Sequence, residues 1–227
     1  MRTQYALTDL QKVYCMGQKK EMVLGGIASH AYMEIIVSNA IEEKLEKALC
    51  RLVEVQDVFR AVIQENFFVI EEKMPVEIAH YNITNLKQEE QEKALEDISD
   101  KLFDEPFDME NGPLFRFAIT KLSASDSIVH ICHAGVIADG QSHQVILENL
   151  QALYEGKEVN CATTFQEYAA YLEEQKKDEN FLSDKEMLLS RYEEYDFQPE
   201  LPMERGENEI LSVQAENPGN PNNEVFL

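Results

Sequence analysis

Side chains that could transfer protons or bind metals are concentrated in the segment HICHAGVIADGQS, residues 130–142. An imidazole such as that of His133 exchanges a proton near neutral pH, which suits general acid-base catalysis. Histidine and cysteine together can also bind a transition metal. The segment therefore indicates either a proton acceptor or a metal site, and the element that carries it decides between them.

The residues before Ala134 are typical of a β-strand, in which successive side chains point to opposite faces. His133 then shares a face with position 135, whereas His130 and Cys132 point the other way. This alternation argues against a metal site, because it separates the ligands and no fourth ligand lies nearby at the usual spacing. His133 is interpreted as a neutral, hydrogen-bonded histidine in a half-buried strand, and the alternative is that it acts as the proton acceptor.

Hydrophobic periodicity predicts strands interleaved with helices. Apolar residues recur at three- and four-residue steps from Ile41 to Val53, which predicts an amphipathic helix. Strands are predicted at 28–37, 60–71, 76–81, 114–122 and 127–134, and further helices after a capping box of Thr8 and Gln11 and at 87–103, 142–154, 163–177 and 184–195. The segments 60–71 and 76–81 are expected to form a hairpin. This pattern favours an α/β (α+β two-layer) fold.

The composition is that of a folded, acidic protein. The 227 residues are 44% hydrophobic, and the formal net charge is −23. Such a charge repels phosphate backbones and anionic lipid, so neither a nucleic acid nor a membrane partner is expected. No apolar run approaches the roughly 20 residues that cross a bilayer, and the cysteines are scattered without a CxxC pair. These features predict a cytoplasmic protein with reduced thiols.

Several segments, in order, carry a resemblance to a known family. They are YALTDLQKVYCMGQ near the start, LVEVQDVFRAVI at 52–63, EPFDMENGPLFRFAI at 105–119 and HICHAGVIADGQS at 130–142. Together, from Tyr5 to Pro202, they resemble the N-terminal half of a nonribosomal peptide synthetase condensation domain. The resemblance implies a chloramphenicol acetyltransferase-like lobe, with a central mixed sheet and flanking helices.

The resemblance also implies a reaction. The family domain has two lobes around a tunnel, into which carrier proteins deliver thioesters on their phosphopantetheine arms. An acceptor amine attacks the donor thioester and forms an amide. The lobe is therefore expected to bind no cofactor of its own, and to use the phosphopantetheine arm as a substrate tether.

The family signature, HHxxxDG, is degenerate in this chain. Its second histidine acts as a general base or positions the amine. Aligned on Asp139 and Gly140, the histidine positions are Ala134 and Gly135, so both imidazoles are absent. General-base catalysis contributes about 10²- to 10⁴-fold, which a glycine cannot supply. His133 is displaced from position 135 by roughly 6.5 Å of strand rise, which makes it a distant stand-in.

The other motif residues are expected to be structural. By the resemblance, Asp139 pairs with Arg60, since a buried carboxylate needs a compensating charge. The alternative is that Asp139 only caps the following helix. Gly140 is expected to permit the turn into that helix, and Arg116 either matches a further family arginine or extends from a sheet edge. His143 is interpreted as a surface residue of the helix, and the alternative is a proton-transfer group.

The domain organisation follows from the extent of the resemblance. Residues 1–202 are expected to form the N-terminal lobe, and 203–227 an extended crossover or tail leading toward an absent C-terminal lobe. The Asn- and Pro-rich tail favours a part of a longer synthetase over a free-standing half-domain.

The expected function is that of a catalytically impaired lobe. It would bind carrier proteins, the C-terminal lobe or neighbouring synthetase modules. The first alternative is an active acyltransferase that uses His133 or a residue of the other lobe. The second is an acidic interaction domain that shares only the fold.

Overall fold

The computed structural model describes residues 3–19, 29–161 and 163–193. Its strands are β1 (Thr3–Ala6), β2 (His30–Val37), β3 (Ala61–Gln64), β4 (Phe67–Ile70), β5 (Ile78–Asn82), β6 (Phe115–Lys121) and β7 (Ser127–Ala134). Its helices are α1 (Asp9–Gly17), α2 (Glu42–Val55), α3 (Gln88–Asp104), α4 (Gly140–Tyr154), α5 (Phe165–Gln175) and α6 (Glu179–Glu193). A 3₁₀ helix covers Asp57–Arg60.

These strands form two sheets. The smaller is antiparallel, in the order β1-β4-β3. The larger has the order β2-β7-β6-β5, and it is mixed because β5 runs parallel to β6 while the other neighbours are antiparallel. The predicted α/β fold, with a mixed sheet and flanking helices, is confirmed.

The strand β7 carries the candidate site and lies inside the larger sheet. All of its residues are buried, because β2 and β6 pair with its two edges and both faces of the sheet are covered. Phe59 of the 3₁₀ helix packs edge-on against Phe115 and Phe117 on one face. The helix α3 packs on the other face. The surrounding elements therefore hold β7 rigidly in the core.

The helix α2 forms where the hydrophobic periodicity predicts it. Its buried side chains are Leu45, Ala48, Leu49, Leu52 and Val53. Burying a leucine or valine stabilises the fold by roughly 1.5–3 kcal/mol. Since α2 packs against α4, this apolar side also helps to hold α4 in position.

The predicted hairpin between 60–71 and 76–81 is wrong. The first segment instead folds back on itself, and β3 pairs with β4 across a turn at Glu65 and Asn66. Glu65 closes the turn with a left-handed φ of 56°. The strand β5 joins the other sheet beside β6. The sequence did not predict this turn, because glutamate rarely adopts a left-handed backbone.

The described residues fall into two compact units, which divide after Ala170. The first unit contains both sheets and α1 to α4. The described part of the second consists of the end of α5 and the whole of α6. The predicted boundary at 202 and the predicted extended segment 203–227 lie outside the described residues. Within the described ranges, no helix combines the length and apolar character that a bilayer span requires.

Candidate functional site

His133 lies near the end of β7, on the face that strand alternation predicts. Its register partners are Phe115 on β6 and Ala31 on β2. The side chain is fully buried, with 0% of its surface exposed. A ligand therefore cannot reach the ring while these elements stay in place.

Both ring nitrogens of His133 have partners, and the partners determine its tautomer. Nδ1 lies 3.1 Å from the carbonyl oxygen of Ala134, which can only accept, so Nδ1 carries the hydrogen. Nε2 lies 2.8 Å from Nε2 of His143. In a neutral His133 this second nitrogen holds the lone pair, and the Nε2–H of His143 donates to it.

Burial lowers the pKa of His133 to about 4, because the charged ring would lose its hydration. Positive charge on His143 or His30 lowers this pKa further, whereas the Ala134 carbonyl and the Asp139 carboxylate oppose the shift. His133 is therefore neutral at pH 7, as the sequence predicted. Its use as a stand-in catalyst stays a prediction, which its burial opposes.

His143 is partly buried rather than a surface residue of α4. Its ring meets that of His133 edge-to-face, with ring centroids 5.1 Å apart. Because only the short loop 135–139 separates β7 from α4, the first turn of the helix returns to the end of the strand. The short loop could have indicated in advance that His143 lies close to His133. Helix periodicity alone did not predict this contact.

Gly135 is enclosed by the segment that leads into β2. Its N–H donates to the carbonyl oxygen of Ser29 over 2.7 Å. A Cβ at this position would lie 2.7 Å from Oγ of Ser29 and 3.3 Å from its Cβ. A side chain at position 135 therefore requires the exposed Ser29 hydroxyl to rotate away.

The predicted ion pair between Asp139 and Arg60 is wrong, and the helix-capping alternative is confirmed. Asp139 is exposed at the N-cap of α4. Its Oδ1 accepts from the Ser142 N–H over 2.9 Å and from the Ser142 hydroxyl over 2.7 Å. These hydrogen bonds hold the pKa of Asp139 below its usual value. The carboxylate is thus satisfied by its own helix and by solvent, so it needs no buried cation.

Arg60 bonds to backbone carbonyls instead. Its NH1 group donates to the carbonyl oxygens of Val53, over 2.7 Å, and of Glu54. Its Nε–H donates to the carbonyl oxygen of Glu71 over 3.2 Å. The last carbonyls of a helix have no partner within it, and the guanidinium satisfies those at the end of α2. Arg60 therefore satisfies carbonyls at the end of α2, whereas Asp139 caps the start of α4.

Gly140 also differs from expectation, and so does the sheet-edge alternative for Arg116, while its match to a family arginine stays a prediction. A Cβ at Gly140 would meet nothing within 4 Å, and its φ is not left-handed, so the turn into α4 does not require glycine. Arg116 lies on β6, which is not an edge strand. Its guanidinium carbon sits 3.9 Å from the centre of the Phe107 ring, and the group donates to the carbonyls of Leu102 and Pro106. Arg116 therefore ties the end of α3 and the following loop to the sheet.

The opposite face of β7 carries a separate buried network around His130. Its Nδ1 lies 2.6 Å from the Tyr32 hydroxyl, and its Nε2 lies 2.7 Å from the Thr120 hydroxyl. Tyr32 in turn donates to Glu34, and hydrogen bonds with His130 and Tyr32 hold the pKa of Glu34 below its usual value. Since each ring nitrogen of His130 has a partner, this network stabilises the sheet rather than offering a ligand a free group.

Metal ligation finds no support on either face. Among the residues that the structure describes, no three His, Cys, Asp or Glu side chains converge as a metal site requires. His130 and Cys132 share one face and His133 the other, as the alternation predicted. All four cysteines are free thiols.

The loop after β7 is held by α1. The predicted capping box of Thr8 and Gln11 is present at the start of this helix. Gln11 is buried, and its side-chain amide donates to the carbonyl oxygen of Val136 over 3.3 Å. The backbone on both sides of the degenerate motif is therefore anchored, by Ser29 at Gly135 and by Gln11 one residue later.

Known proteins are similar in sequence to this chain over part of their own length. Bacitracin synthase 1 of Bacillus licheniformis is 24% identical over 185 residues, covering 77% of this chain and 3% of the relative. Phenyloxazoline synthase MbtB of Mycobacterium bovis is 24% identical over 176 residues, covering 74% of this chain and 12% of the relative. The chain thus spans a small fraction of the curated relatives that it matches.

A solved structure and a family profile agree with these relatives. The EpoB NRPS cyclization-docking bidomain from Sorangium cellulosum aligns with a TM-score of 0.74 and 23% identity, over 90% of this chain and 41% of that one. This likeness confirms the fold. The condensation domain profile matches residues 1–216. The chain therefore belongs to the condensation-domain family of nonribosomal peptide synthetases.

Proposed function

We propose that this chain is a condensation-domain lobe that binds carrier proteins or neighbouring synthetase parts, while its own acyl-transfer chemistry is impaired. Gly135 carries the proposal, because it stands at the position of the motif's second histidine. The residue at this position can neither accept a proton nor orient an amine. The nearest histidine on the same face, His133, is fully buried. Binding of carrier proteins can persist without the motif histidine, since it depends on the surface of the lobe rather than on the motif.

The ligand class in this proposal follows from the family. Condensation domains act on thioesters carried by a phosphopantetheine arm, so the lobe meets this arm as a substrate tether and holds no cofactor of its own. Its partners are carrier proteins, together with a C-terminal lobe or neighbouring modules of a cytoplasmic synthetase. The match of residues 1–216 to the condensation domain supports this assignment.

Binding and turnover can be measured separately on the full chain. A carrier protein loaded with an acyl-phosphopantetheine arm is titrated into the chain by calorimetry, and amide formation with an amine acceptor is followed by mass spectrometry. We expect saturable binding. We also expect amide formation to be slower than in a variant with an imidazole at position 135, because glycine there offers no proton acceptor.

The matched variant is Gly135→His, which restores the motif imidazole. The exposed Ser29 hydroxyl must rotate to make room for the new Cβ, which should cost less than overpacking a core, about 1–3 kcal/mol. We therefore expect a small loss of stability and a gain of turnover. Absence of saturable binding contradicts the proposal, and so does a Gly135→His variant that forms amide no faster than the unaltered chain.

Active acyl transfer is the second candidate, and the contact between His133 and His143 favours it. This contact uses Nε2 of His143, and no hydrogen bond to its Nδ1 is present among the described residues. A proton acceptor is thus available beside the motif, although position 135 has none. In this candidate His133 acts through His143 rather than by touching the substrate, or else the rest of the synthetase supplies the base.

A further inference from the structure

We propose that His143 is the proton acceptor for an amine nucleophile in this lobe, and that His133 is the positioning residue that fixes its orientation and tautomer. The inference rests on the second candidate function. It moves the chemistry from position 135, which has no side chain, to the first turn of α4.

The tautomers follow from three atoms. The Ala134 carbonyl requires hydrogen on Nδ1 of His133, so the Nε2 of that ring accepts. The 2.8 Å contact then requires hydrogen on Nε2 of His143. A neutral imidazole with hydrogen on Nε2 carries its lone pair on Nδ1. The nitrogen of His143 that faces away from His133 is therefore the one able to take a proton.

The two histidines differ in access, which assigns their roles. His133 is fully buried in a central strand, and both of its nitrogens are bonded. It can orient a neighbour but cannot reach a substrate. His143 is partly buried at the start of α4 and is held by one hydrogen bond. A base oriented by a third group is a recurring arrangement in acyl-transfer enzymes.

The surroundings favour at most one positive charge on the pair of His133 and His143. Asp139, at the N-cap of α4, and His30, on β2, are the charged or titratable groups whose fields reach His133 besides His143 itself. Burial and these fields keep His133 neutral at pH 7. A proton accepted by the pair is therefore carried by His143, while the hydrogen bond to His133 is kept.

The proposed step is aminolysis of a thioester. The amine nitrogen attacks the carbonyl carbon, the C–N bond forms, and the C–S bond breaks with its electron pair leaving on sulfur. The proton lost by the amine passes to Nδ1 of His143. The imidazolium then returns this proton to the thiolate or to water, so no oxidant, reductant or further reactant is needed.

The first measurement reads the tautomers by ¹⁵N NMR of the imidazole rings in the full chain at pH 7. We expect hydrogen on Nδ1 of His133 and on Nε2 of His143. His133→Phe fills the space without an acceptor, so His143 should show the mixed tautomers of a free imidazole. His133→Gln supplies an amide oxygen that can accept from His143, and should restore the fixed tautomer.

His80→Gln is the matched control, because His80 is a half-exposed residue of β5 outside this pair. It should leave both spectra unchanged. The inference is overturned if His133 carries its hydrogen on Nε2. It is equally overturned if the tautomer of His143 is unaffected by His133→Phe.

The second measurement follows amide formation from the acetyl thioester of N-acetylcysteamine and glycinamide. We expect His143→Gln to lower the rate about 100-fold, the low end of the usual contribution of a general base. The acid limb of the pH–rate profile should vanish with it. His133→Phe should lower the rate as well, and His133→Gln should recover part of the loss.

The carrier titration distinguishes failure of this inference from failure of the binding proposal. Equal rates for the unaltered chain and His143→Gln overturn the assignment of His143, and this includes no turnover by either. If the loaded carrier still binds in that case, the binding lobe stands and only the base assignment fails. If the carrier does not bind either, both proposals fail.

Discussion

At position 135, the contact with Ser29 disfavours a side chain, whereas the backbone conformation permits one. The residue has no left-handed φ, and a Cβ would lie 2.7 Å from Ser29 Oγ, an exposed hydroxyl that can rotate away. The hydrogen bond from the Gly135 N–H to Ser29 extends the pairing of β2 and β7 by one residue beyond His30 and Ala134. Loss of the motif histidine thus coincides with a close approach of two backbones beside position 135.

His133 predicts how stability responds to acid. The unfolded ring binds a proton below about pH 6.5, but the folded ring binds one only below about pH 4. Between these values the unfolded chain holds more protons, so the free energy of unfolding falls as the pH drops from 6.5 to 4. The loss attributable to this ring reaches about 3 kcal/mol. Urea unfolding at several pH values across the window measures it.

His133→Phe is the comparison for this measurement, because it keeps a buried ring without a titrating group. The variant should lose stability more slowly with falling pH between 6.5 and 4. Parallel pH profiles for the variant and the unaltered chain would show that His133 titrates normally in the folded protein.

At the scale of elements, the cap of α4 replaces the ion pair expected from the sequence. Asp139→Ala removes the acceptor for the Ser142 N–H and should cost about 1 kcal/mol. Asp139→Asn keeps an oxygen at the same place, and asparagine is an equally good N-cap, so its cost should be much smaller. Urea denaturation of the two variants gives both values.

A double-mutant cycle with Arg60→Met tests the same point independently. Arg60 donates hydrogen bonds to carbonyls at the end of α2, and Asp139 accepts hydrogen bonds at the start of α4. Their effects should therefore add to within about 0.5 kcal/mol, as they do for sites that share no partners. A coupling energy well above that value would mean that the two side chains form the ion pair after all.

At the scale of the whole molecule, the net charge of −23 predicts a stabilising effect of salt. Like charges repel one another in the compact state, and salt at 0.15 M shortens the screening length to about 8 Å from about 30 Å at 0.01 M. The urea midpoint should therefore rise between these concentrations of sodium chloride. A midpoint that stays constant or falls would mean that local ion pairs outweigh the general repulsion.

Local patterns in the sequence determined much of the fold. The helix α2, the capping box of α1 and the strands β6 and β7 lie where periodicity and capping residues predict them. Strand alternation also placed His133 and His130 on opposite faces correctly. Each of these features depends on residues within a few positions of one another, so the chain itself encodes it.

The tertiary structure decided what those residues contact. The sequence could not reveal that Ser29 closes on Gly135, that His143 meets His133, or that β5 joins β6 rather than its neighbour along the chain. It also suggested a pairing of Asp139 with Arg60 that the fold does not make. These contacts join segments brought together by packing of the whole core, and a hydrogen bond forms only where that packing leaves two groups within about 3 Å.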